Sequence, residues 1–208
     1  MNEIDVKEYL KNEFQFKKEK IDIIENFSKY LLEFNQKYNL LGKSTENDVW
    51  NRHILDSAQI IKYINFNNPG SLADLGSGAG FPGLILAIYN DNQEFHVKLY
   101  EKSNIKCNFM QDCIDKLSIR CEVMKGSYVD HAIESNYIIC RAFKKLPEIM
   151  RISREIAQKN HKLIILKGKN AQIEINKALK EKDFKYRLHD SITDDKSKII
   201  VCNIIKSE

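Results

Sequence analysis

The chain has 208 residues, 43% of them hydrophobic and 30% charged, with only three prolines, a composition that excludes a disordered chain and suits one main core. Its formal net charge of +4 is enough to favour a polyanionic partner and too small to require one. No apolar run approaches the roughly 18 residues of a membrane helix, and the acidic start, with Glu3 and Asp5, is unlike a signal peptide, so we expect a cytoplasmic protein.

The first third of the chain has the apolar spacing of helices. Apolar residues recur at intervals of three and four between positions 21 and 38, which predicts an amphipathic helix. Ser44 and Thr45 can cap a second helical run that continues to about residue 64. The Asn-Asn-Pro-Gly sequence at 67–70 then marks a boundary. We expect a helical extension over residues 1–66, packed on a domain of residues 67–208.

Strands and helices alternate in the remainder of the chain. We predict strands near 71–75, 95–101, 120–125, 137–140 and 162–166, and helices near 81–90, 103–117, 147–158 and 171–182. This alternation predicts an α/β fold with a doubly wound, mostly parallel sheet. Two further strand-like runs, 184–192 and 198–205, are separated only by a short polar turn and predict an antiparallel hairpin. A parallel sheet that ends in such a hairpin is similar to the class I S-adenosylmethionine-dependent methyltransferase fold.

Half of the eight glycines follow the first predicted strand, at Gly76, Gly78, Gly80 and Gly83. Glycine permits positive φ and close approach of a ligand to the main chain, so this loop is a candidate nucleotide site. The spacing also satisfies the dinucleotide-binding pattern, which leaves an NAD-linked oxidoreductase as an alternative. Asp74 should project into the ligand crevice, where it would suit cationic S-adenosylmethionine and repel a pyrophosphate. Alternatively, Asp74 caps the glycine turn through backbone N–H groups.

Glu101 ends the second predicted strand of the sheet. A carboxylate at the carboxyl end of this strand can accept both ribose hydroxyls of a nucleotide, in an NAD enzyme as well as in a methyltransferase. The alternative is an acid that merely stabilises the N-terminus of the following helix. Glu101 therefore supports a ribose-containing ligand without choosing between the two cofactors.

The five cysteines are odd in number and include no CxxC pair. This pattern predicts reduced, mostly buried thiols and gives no disulfide framework and no metal site. Cys140 could be mistaken for a covalent nucleophile, but a thiol at the end of an apolar strand is more often part of the core.

Five segments together resemble one known family. They are YNLL at 38–41, RHILDS at 52–57, DLGSGAGFPG at 74–83, CRAF at 140–143 and LKGK at 166–169. In this order they closely resemble the glucose-inhibited division protein B family, the bacterial 16S ribosomal RNA 7-methylguanosine methyltransferases of the small-subunit methyltransferase G type. The resemblance implies a class I methyltransferase that uses S-adenosylmethionine and acts on a guanine of 16S ribosomal RNA or the small ribosomal subunit.

The resemblance also implies site residues. Gly76 and Phe81 match loop positions that contact the cofactor, Glu101 matches the ribose acid, and Arg141 matches the arginine of the family's SRAF segment, in which this chain has Cys140 for serine. A further cofactor contact is expected at Tyr128 and Val129, followed by Asp130. With the loop reasoning above, the predicted cofactor-binding set is Asp74, Gly76, Gly78, Gly80, Phe81, Glu101, Tyr128, Val129 and Arg141.

Methylation at guanine N7 uses a ring lone pair, so it requires no strong general base. We therefore expect catalysis by positioning, with Arg141 as the orienting catalytic residue. Alternatively, Arg141 forms a structural ion pair with Asp74 or Glu101. A different RNA position or atom, or an RNA-binding assembly factor without turnover, remains an alternative function.

Four residues are candidates for contacts with the RNA: Arg52, His53, Lys167 and Lys169. The two lysines follow the fifth predicted strand and could reach phosphates, a contact that positions RNA without specifying its sequence. His53 is about equally well explained as a packing histidine of the extension. We find no apolar stripe that demands a partner chain, so we expect a monomer.

Overall fold

A computed structural model describes residues 1–178 and 185–206. Three helices open the chain: α1 (Glu3–Glu13), α2 (Lys18–Tyr38) and α3 (Lys43–Glu46). The apolar stripe of α2 faces the interior, where Ile24, Phe27 and Leu31 are fully buried. The amphipathic helix predicted over 21–38 is confirmed and begins slightly earlier than predicted.

The segment after α3 is helical but irregular. Trp50–Leu55 forms a π-helix, α4 spans Asp56–Ala58, and Ile61–Tyr63 is a 3₁₀ helix. A π turn widens the backbone by one residue and is frequent at functional sites. The apolar periodicity predicted helical structure here and did not reveal the π turn, because its buried positions still recur every three or four residues.

The sheet has seven strands in the order β3-β2-β1-β4-β5-β7-β6. They are β1 (Gly70–Leu75), β2 (Phe95–Glu101), β3 (Glu122–Lys125), β4 (Tyr137–Arg141), β5 (His161–Lys167), β6 (Tyr186–Asp190) and β7 (Lys198–Ile204). β1 to β5 are parallel, whereas β7 is antiparallel to both β5 and β6. The predicted parallel sheet with a terminal antiparallel hairpin is confirmed. Position 184, where the sequence predicts the sixth strand to begin, lies outside the described residues.

Helices cover both faces of the sheet. They are α5 (Gly83–Tyr89), α6 (Asn104–Leu117), α7 (Leu146–Ile156) and α8 (Ala171–Ala178). Apolar residues of α2, α5 and α6 form one core layer, and those of α7 and α8 form the other. Leu72 and Ala73, adjacent in β1, belong to different layers because neighbouring side chains of a strand point to opposite faces. Positions 179–182, predicted to extend the last helix, lie outside the described residues.

The N-terminal helices share a core with the sheet. Val6 and Leu10 of α1 and Trp50 of the π-helix belong to the same buried cluster as Leu72 of β1 and Val97 of β2. The extension is therefore built into the interior, while a domain boundary at residue 66 stays a prediction. Among the helices of the described ranges, none has both the length and the apolar character needed to cross a bilayer.

Candidate active site

The glycine-rich loop between β1 and α5 has a backbone that only glycine adopts easily. Gly76, Gly78 and Gly80 have φ values of 71°, 60° and 95°. A Cβ at Gly80 would lie 2.2 Å from Leu84 Cδ1, and one at Gly76 would lie 2.6 Å from Phe143 Cδ2. Leu84 and Phe143 thus fill the space beside Gly80 and Gly76, whereas a Cβ at Gly78 would meet only the Gly76 carbonyl oxygen, at 3.9 Å. The loop offers this open main chain at the carboxyl end of β1, where open α/β sheets bind ligands.

Glu101 fastens this loop to the end of β2. Its carboxylate is buried, with Oε2 accepting the Gly78 N–H at 3.0 Å and Oε1 accepting the Ser103 N–H at 2.8 Å. A carboxylate has about four lone-pair positions, so each oxygen can still accept a ligand hydroxyl. Glu101 holds the loop in place and keeps acceptor capacity for a ribose.

Asp74 lies beneath the loop. It is fully buried, and its Oδ2 accepts the Gly83 N–H at 2.9 Å. Its Oδ1 has no hydrogen-bond partner among the described residues. Burial raises the pKa of Asp74 to about 7, against the opposing effects of the Gly83 hydrogen bond and the charge of Arg141. The expectation that Asp74 projects into an open crevice is corrected: the side chain caps the glycine turn, and its assignment to the cofactor stays a prediction.

Arg141, the last residue of β4, joins the sheet to the N-terminal extension. Its Nη1 donates to Asp56 Oδ2 at 3.1 Å and to the Arg52 carbonyl oxygen at 2.9 Å. Its Nη2 lies 2.7 Å from His53 Nδ1, and the guanidinium lies over the Phe81 ring at 5.3 Å. Groups from the π-helix, α4 and the glycine loop thus converge on one planar cation.

The ion-pair alternatives considered for Arg141 are corrected by this geometry. Its carboxylate partner is Asp56 of α4, whereas Asp74 and Glu101 bond backbone N–H groups. Asp56 was not among the predicted site residues. The signals of this role in the sequence were the spacing of Arg52, His53 and Asp56 on one helical segment and their place in the RHILDS segment of the family resemblance.

His53 has a defined tautomer. A guanidinium can only donate, so His53 Nδ1 accepts from Arg141, and the hydrogen of the neutral ring is on Nε2. Burial first, and then the charges of Arg141 and Arg52, lower the pKa of His53 to about 3. Nε2 is buried and has no partner among the described residues. His53 is therefore a neutral hydrogen-bond donor at this site.

The predicted RNA cations differ in their availability. Lys167 forms an ion pair with Glu174 at 2.8 Å, also contacts the Lys144 carbonyl, and has a side chain only 10% exposed. Lys167 is largely buried as well as paired, and its contact with RNA phosphate stays a prediction. Arg52 pairs with Asp194 at 3.0 Å and remains 43% exposed. Lys169 is exposed beyond the end of β5.

Three residues predicted to contact the cofactor, Phe81, Tyr128 and Val129, differ in how far their side chains are buried. The Phe81 ring is buried against Phe27, with the ring centroids 5.5 Å apart. Tyr128 packs edge-on against Phe143 at 5.1 Å, while Val129 is 62% exposed. These positions stay predictions as cofactor contacts, and Phe81 can offer only its backbone without repacking.

The cysteines match their predicted state. All five are free thiols, and Cys140 is completely buried between the sheet and α7. Burial raises the pKa of the Cys140 thiol, which leaves it protonated and unreactive. Within the described part of the chain, no three His, Cys, Asp or Glu side chains are grouped as metal ligands would be.

A cavity of about 430 Å³ lies beside the glycine loop, at the ends of β4 and β5. Its walls come from the extension, the two strand ends and the turn between β6 and β7. The lining includes Arg52, His53, Asp56, Gln59, Arg141, Lys169, Ser191, Thr193 and Lys198. Neither Glu101 nor a glycine of the loop contributes to it, and Arg141, which lines the cavity and contacts the Phe81 ring, connects the cavity to the loop.

A mostly parallel sheet with a final antiparallel hairpin, and a glycine loop fastened by an acid from β2, define the class I S-adenosylmethionine-dependent methyltransferase fold. Solved structures agree. A SAM-dependent methyltransferase from Aquifex aeolicus has a TM-score of 0.60 at 15% identity, covering 78% of this chain and 95% of that chain. Magnesium protoporphyrin IX methyltransferase from Synechocystis, also at TM-score 0.60 and with 13% identity, covers 87% of this chain and 97% of that chain.

Sequence comparison identifies the family. Residues 20–200 match the family model described as rRNA small subunit methyltransferase G, GidB. Proteins named ribosomal RNA small subunit methyltransferase G from Rickettsia akari and Rickettsia typhi are each 36% identical to this chain. The first alignment covers 91% of this chain and 97% of that relative, and the second covers 89% and 93%. The chain belongs to the rRNA small subunit methyltransferase G family, which confirms the resemblance and sets aside the NAD-linked alternative.

Proposed function

We propose that this protein transfers the methyl group of S-adenosylmethionine to N7 of one guanine in 16S ribosomal RNA. The observation that carries the proposal is the position of Arg141, which touches the glycine loop at Phe81 on one side and lines the polar cavity on the other. The names of the Rickettsia relatives support a substrate in small-subunit ribosomal RNA.

The glycine loop and Glu101 would hold the cofactor. The backbone at Gly78 is open, since a Cβ there would meet only the Gly76 carbonyl oxygen, at 3.9 Å, and Glu101 retains acceptor capacity for the ribose hydroxyls. These features fit S-adenosylmethionine, whose sulfonium supplies an electrophilic methyl group. Asp74, buried beneath the same loop, adds negative potential near a cationic ligand whenever its carboxyl is ionised.

The residues around the cavity suit a nucleophile that loses no proton. When guanine N7 attacks, the N7–CH₃ bond forms as the S–CH₃ bond breaks, and the base takes up the positive charge that leaves the sulfur. The acceptor nitrogen of His53 is occupied by Arg141, and Asp56 is paired with the same guanidinium. Neither group is free to act as a general base, which favours N7 over an exocyclic amine.

Arg141 would act by orientation. Its planar fork is held by Asp56, by the Arg52 carbonyl and by His53, so its direction is fixed before the RNA arrives. A fixed guanidinium between the glycine loop and the cavity can direct a guanine edge towards the methyl group. Lys169 and Arg52 would attract the RNA backbone, with affinity that falls as salt rises. A monomeric state and a cytoplasmic location are part of this proposal.

The test is transfer of tritiated methyl groups to small ribosomal subunits that lack the modification, with naked 16S RNA in parallel. Chemical cleavage specific for 7-methylguanosine then locates the label. We expect one labelled guanine. Label at another position or atom would support a different RNA specificity, and cofactor binding without transfer would support an assembly factor.

Arg141→Lys separates orientation from folding. A lysine cannot bond three acceptors in one plane, so we expect kcat to fall about 10- to 100-fold with little change in melting temperature. Arg151→Lys is the matched control, since Arg151 pairs with the nearby Glu155 on the exposed face of α7 and is 62% exposed. Equal effects of both substitutions would contradict the assignment.

A further inference from the structure

The turn between β6 and β7, residues 191–197, is bonded to the N-terminal extension by a set of side chains far away in sequence. We call this turn the hairpin loop. The Ile192 N–H donates to Gln59 Oε1 at 3.0 Å, and Gln59 Nε2 donates to Ser191 Oγ at 3.1 Å. Thr193 Oγ1 donates to Asp56 Oδ1 at 3.1 Å. With the Arg52–Asp194 ion pair, these bonds attach the hairpin loop to α4 and the π-helix.

Gln59 is the buried centre of this attachment. It is 1% exposed, and beyond the hairpin loop its Nε2 also donates to Asp56 Oδ1 at 2.7 Å and to the Asp56 carbonyl oxygen at 3.1 Å. A buried amide is costly unless its donors and acceptor are bonded. The two hydrogens of Nε2 are shared among three acceptors, two of which belong to Asp56. The acceptor Oε1 is bonded by the Ile192 N–H, so the hairpin loop in this position completes the bonding of the buried amide.

Asp56 connects the hairpin loop to Arg141. One carboxylate oxygen accepts from Gln59 and Thr193, and the other accepts from Arg141. A displacement of the hairpin loop therefore disturbs the same carboxylate that orients the guanidinium. Hydrogen bonds that share an ionised acceptor are stronger than neutral ones and couple the groups they join.

The hairpin loop forms part of the cavity wall. Ser191, Thr193 and Ser197 line the cavity together with Arg141, whereas the glycine loop does not reach it. The wall presents the hydroxyl groups of Ser191, Thr193 and Ser197, while the Gln59 amide behind them is already bonded to Asp56 and the hairpin loop. Such a lining suits the polar edge of an unpaired nucleobase, which is how proteins read single-stranded RNA.

We propose that Gln59 and Asp56 are positioning residues that hold the hairpin loop as the specificity wall of a pocket for an unpaired guanine of the RNA. The inference rests on the proposed function and adds to it. The hairpin loop takes part in selecting RNA, and binding of the cofactor does not depend on this loop.

The test uses Gln59→Met, which keeps the side-chain shape and removes its hydrogen bonds, and Thr193→Val, which removes one hydroxyl from the half-buried turn. We expect KM for small ribosomal subunits to rise about 3- to 10-fold, as loss of one or two such bonds implies. The dissociation constant for S-adenosylmethionine, measured by calorimetry, should stay within about twofold of the wild-type value.

Asn203→Ala is the control. Asn203 lies on β7, a strand of the same hairpin, its side chain is exposed, and it does not line the cavity. We expect it to change neither constant. If Gln59→Met fails to fold, Thr193→Val carries the test alone, since its side chain is only half-buried.

Two results would overturn the inference: a lower melting temperature with unchanged KM, or a parallel loss of RNA and cofactor affinity. Filter binding of 16S RNA to the same variants measures the effect without turnover. Failure of the wild-type protein to methylate RNA would refute the proposed function, while weaker RNA binding by Thr193→Val would still support the hairpin loop as a contact wall.

Discussion

His53 is held by Arg141 as a neutral ring with its hydrogen on Nε2. In nitrogen-15 spectra we expect Nε2 to be the protonated nitrogen and the ring to remain neutral from about pH 8 down to pH 5, since its pKa is lowered to about 3. Arg141→Met removes the donor and the nearby charge, so the pKa should rise, while burial, the largest cause, still holds it below the usual value near 6.5. Titration of the wild-type ring between pH 6 and 7 would contradict this account.

The lowered pKa of His53 also makes the stability of the folded protein depend on pH. The folded value for His53 lies below the unfolded value of about 6.5. As the pH falls below 6.5, His53 is protonated in the unfolded chain but stays neutral in the folded protein. The contribution of neutral His53 to stability is therefore present above pH 6.5 and is lost towards pH 3. His53→Asn should flatten the fall of melting temperature over that range, and an unchanged slope would refute it.

The contribution of Asp74 to stability changes with pH in the opposite direction. Its folded pKa, about 7, lies above the unfolded value of 3.8, so burial of the protonated acid contributes stability below pH 3.8. That contribution is lost as the pH rises through 7, when the ionised carboxylate must remain buried. The difference in melting temperature between wild type and Asp74→Asn should therefore fall from pH 4 to pH 8. A constant difference would show that the folded pKa is not raised.

At the scale of the elements, the glycine loop depends on backbone geometry. Gly80→Ala places a Cβ 2.2 Å from Leu84 Cδ1 at a φ of 95°, which we expect to cost about 1–3 kcal/mol in the free energy of unfolding. Gly168→Ala is the control, because a Cβ there meets nothing within 4 Å. Urea unfolding of both variants measures the difference, and an equal loss would exclude local strain at Gly80.

The elements themselves were largely predictable, because strands and helices follow local periodicity. The glycine loop, Glu101 at the end of β2 and the terminal hairpin are each visible within a few residues of sequence. The partners of Arg141 could not be predicted, because Asp56 lies 85 positions away and no local pattern pairs two such residues. For the same reason the neutralisation of Lys167 by Glu174 and the attachment of the hairpin loop to Gln59 required the structure.

At the scale of the whole molecule, the extension and the sheet share one interior. Phe27 of α2 lies 5.5 Å from the ring of Phe81 in the glycine loop and 6.3 Å from that of Phe109 in α6. The extension therefore packs against the glycine loop through Phe27 and also contributes Asp56 and His53 to the lining of the cavity. A helical segment with both roles should not separate from the sheet during unfolding.

Phe27→Ala tests whether the extension and the sheet unfold together. Removing a fully buried ring at the junction of α2, the loop and α6 should lower the free energy of unfolding by about 3–5 kcal/mol. Because the core is continuous, circular dichroism and tryptophan fluorescence from Trp50 should still report one coincident transition. Ile4→Ala, at a side chain 69% exposed on α1, is the control and should change stability little. If Trp50 reported an earlier transition than the sheet, the extension would be an independent unit, and the division of the chain at residue 66 would be a true domain boundary.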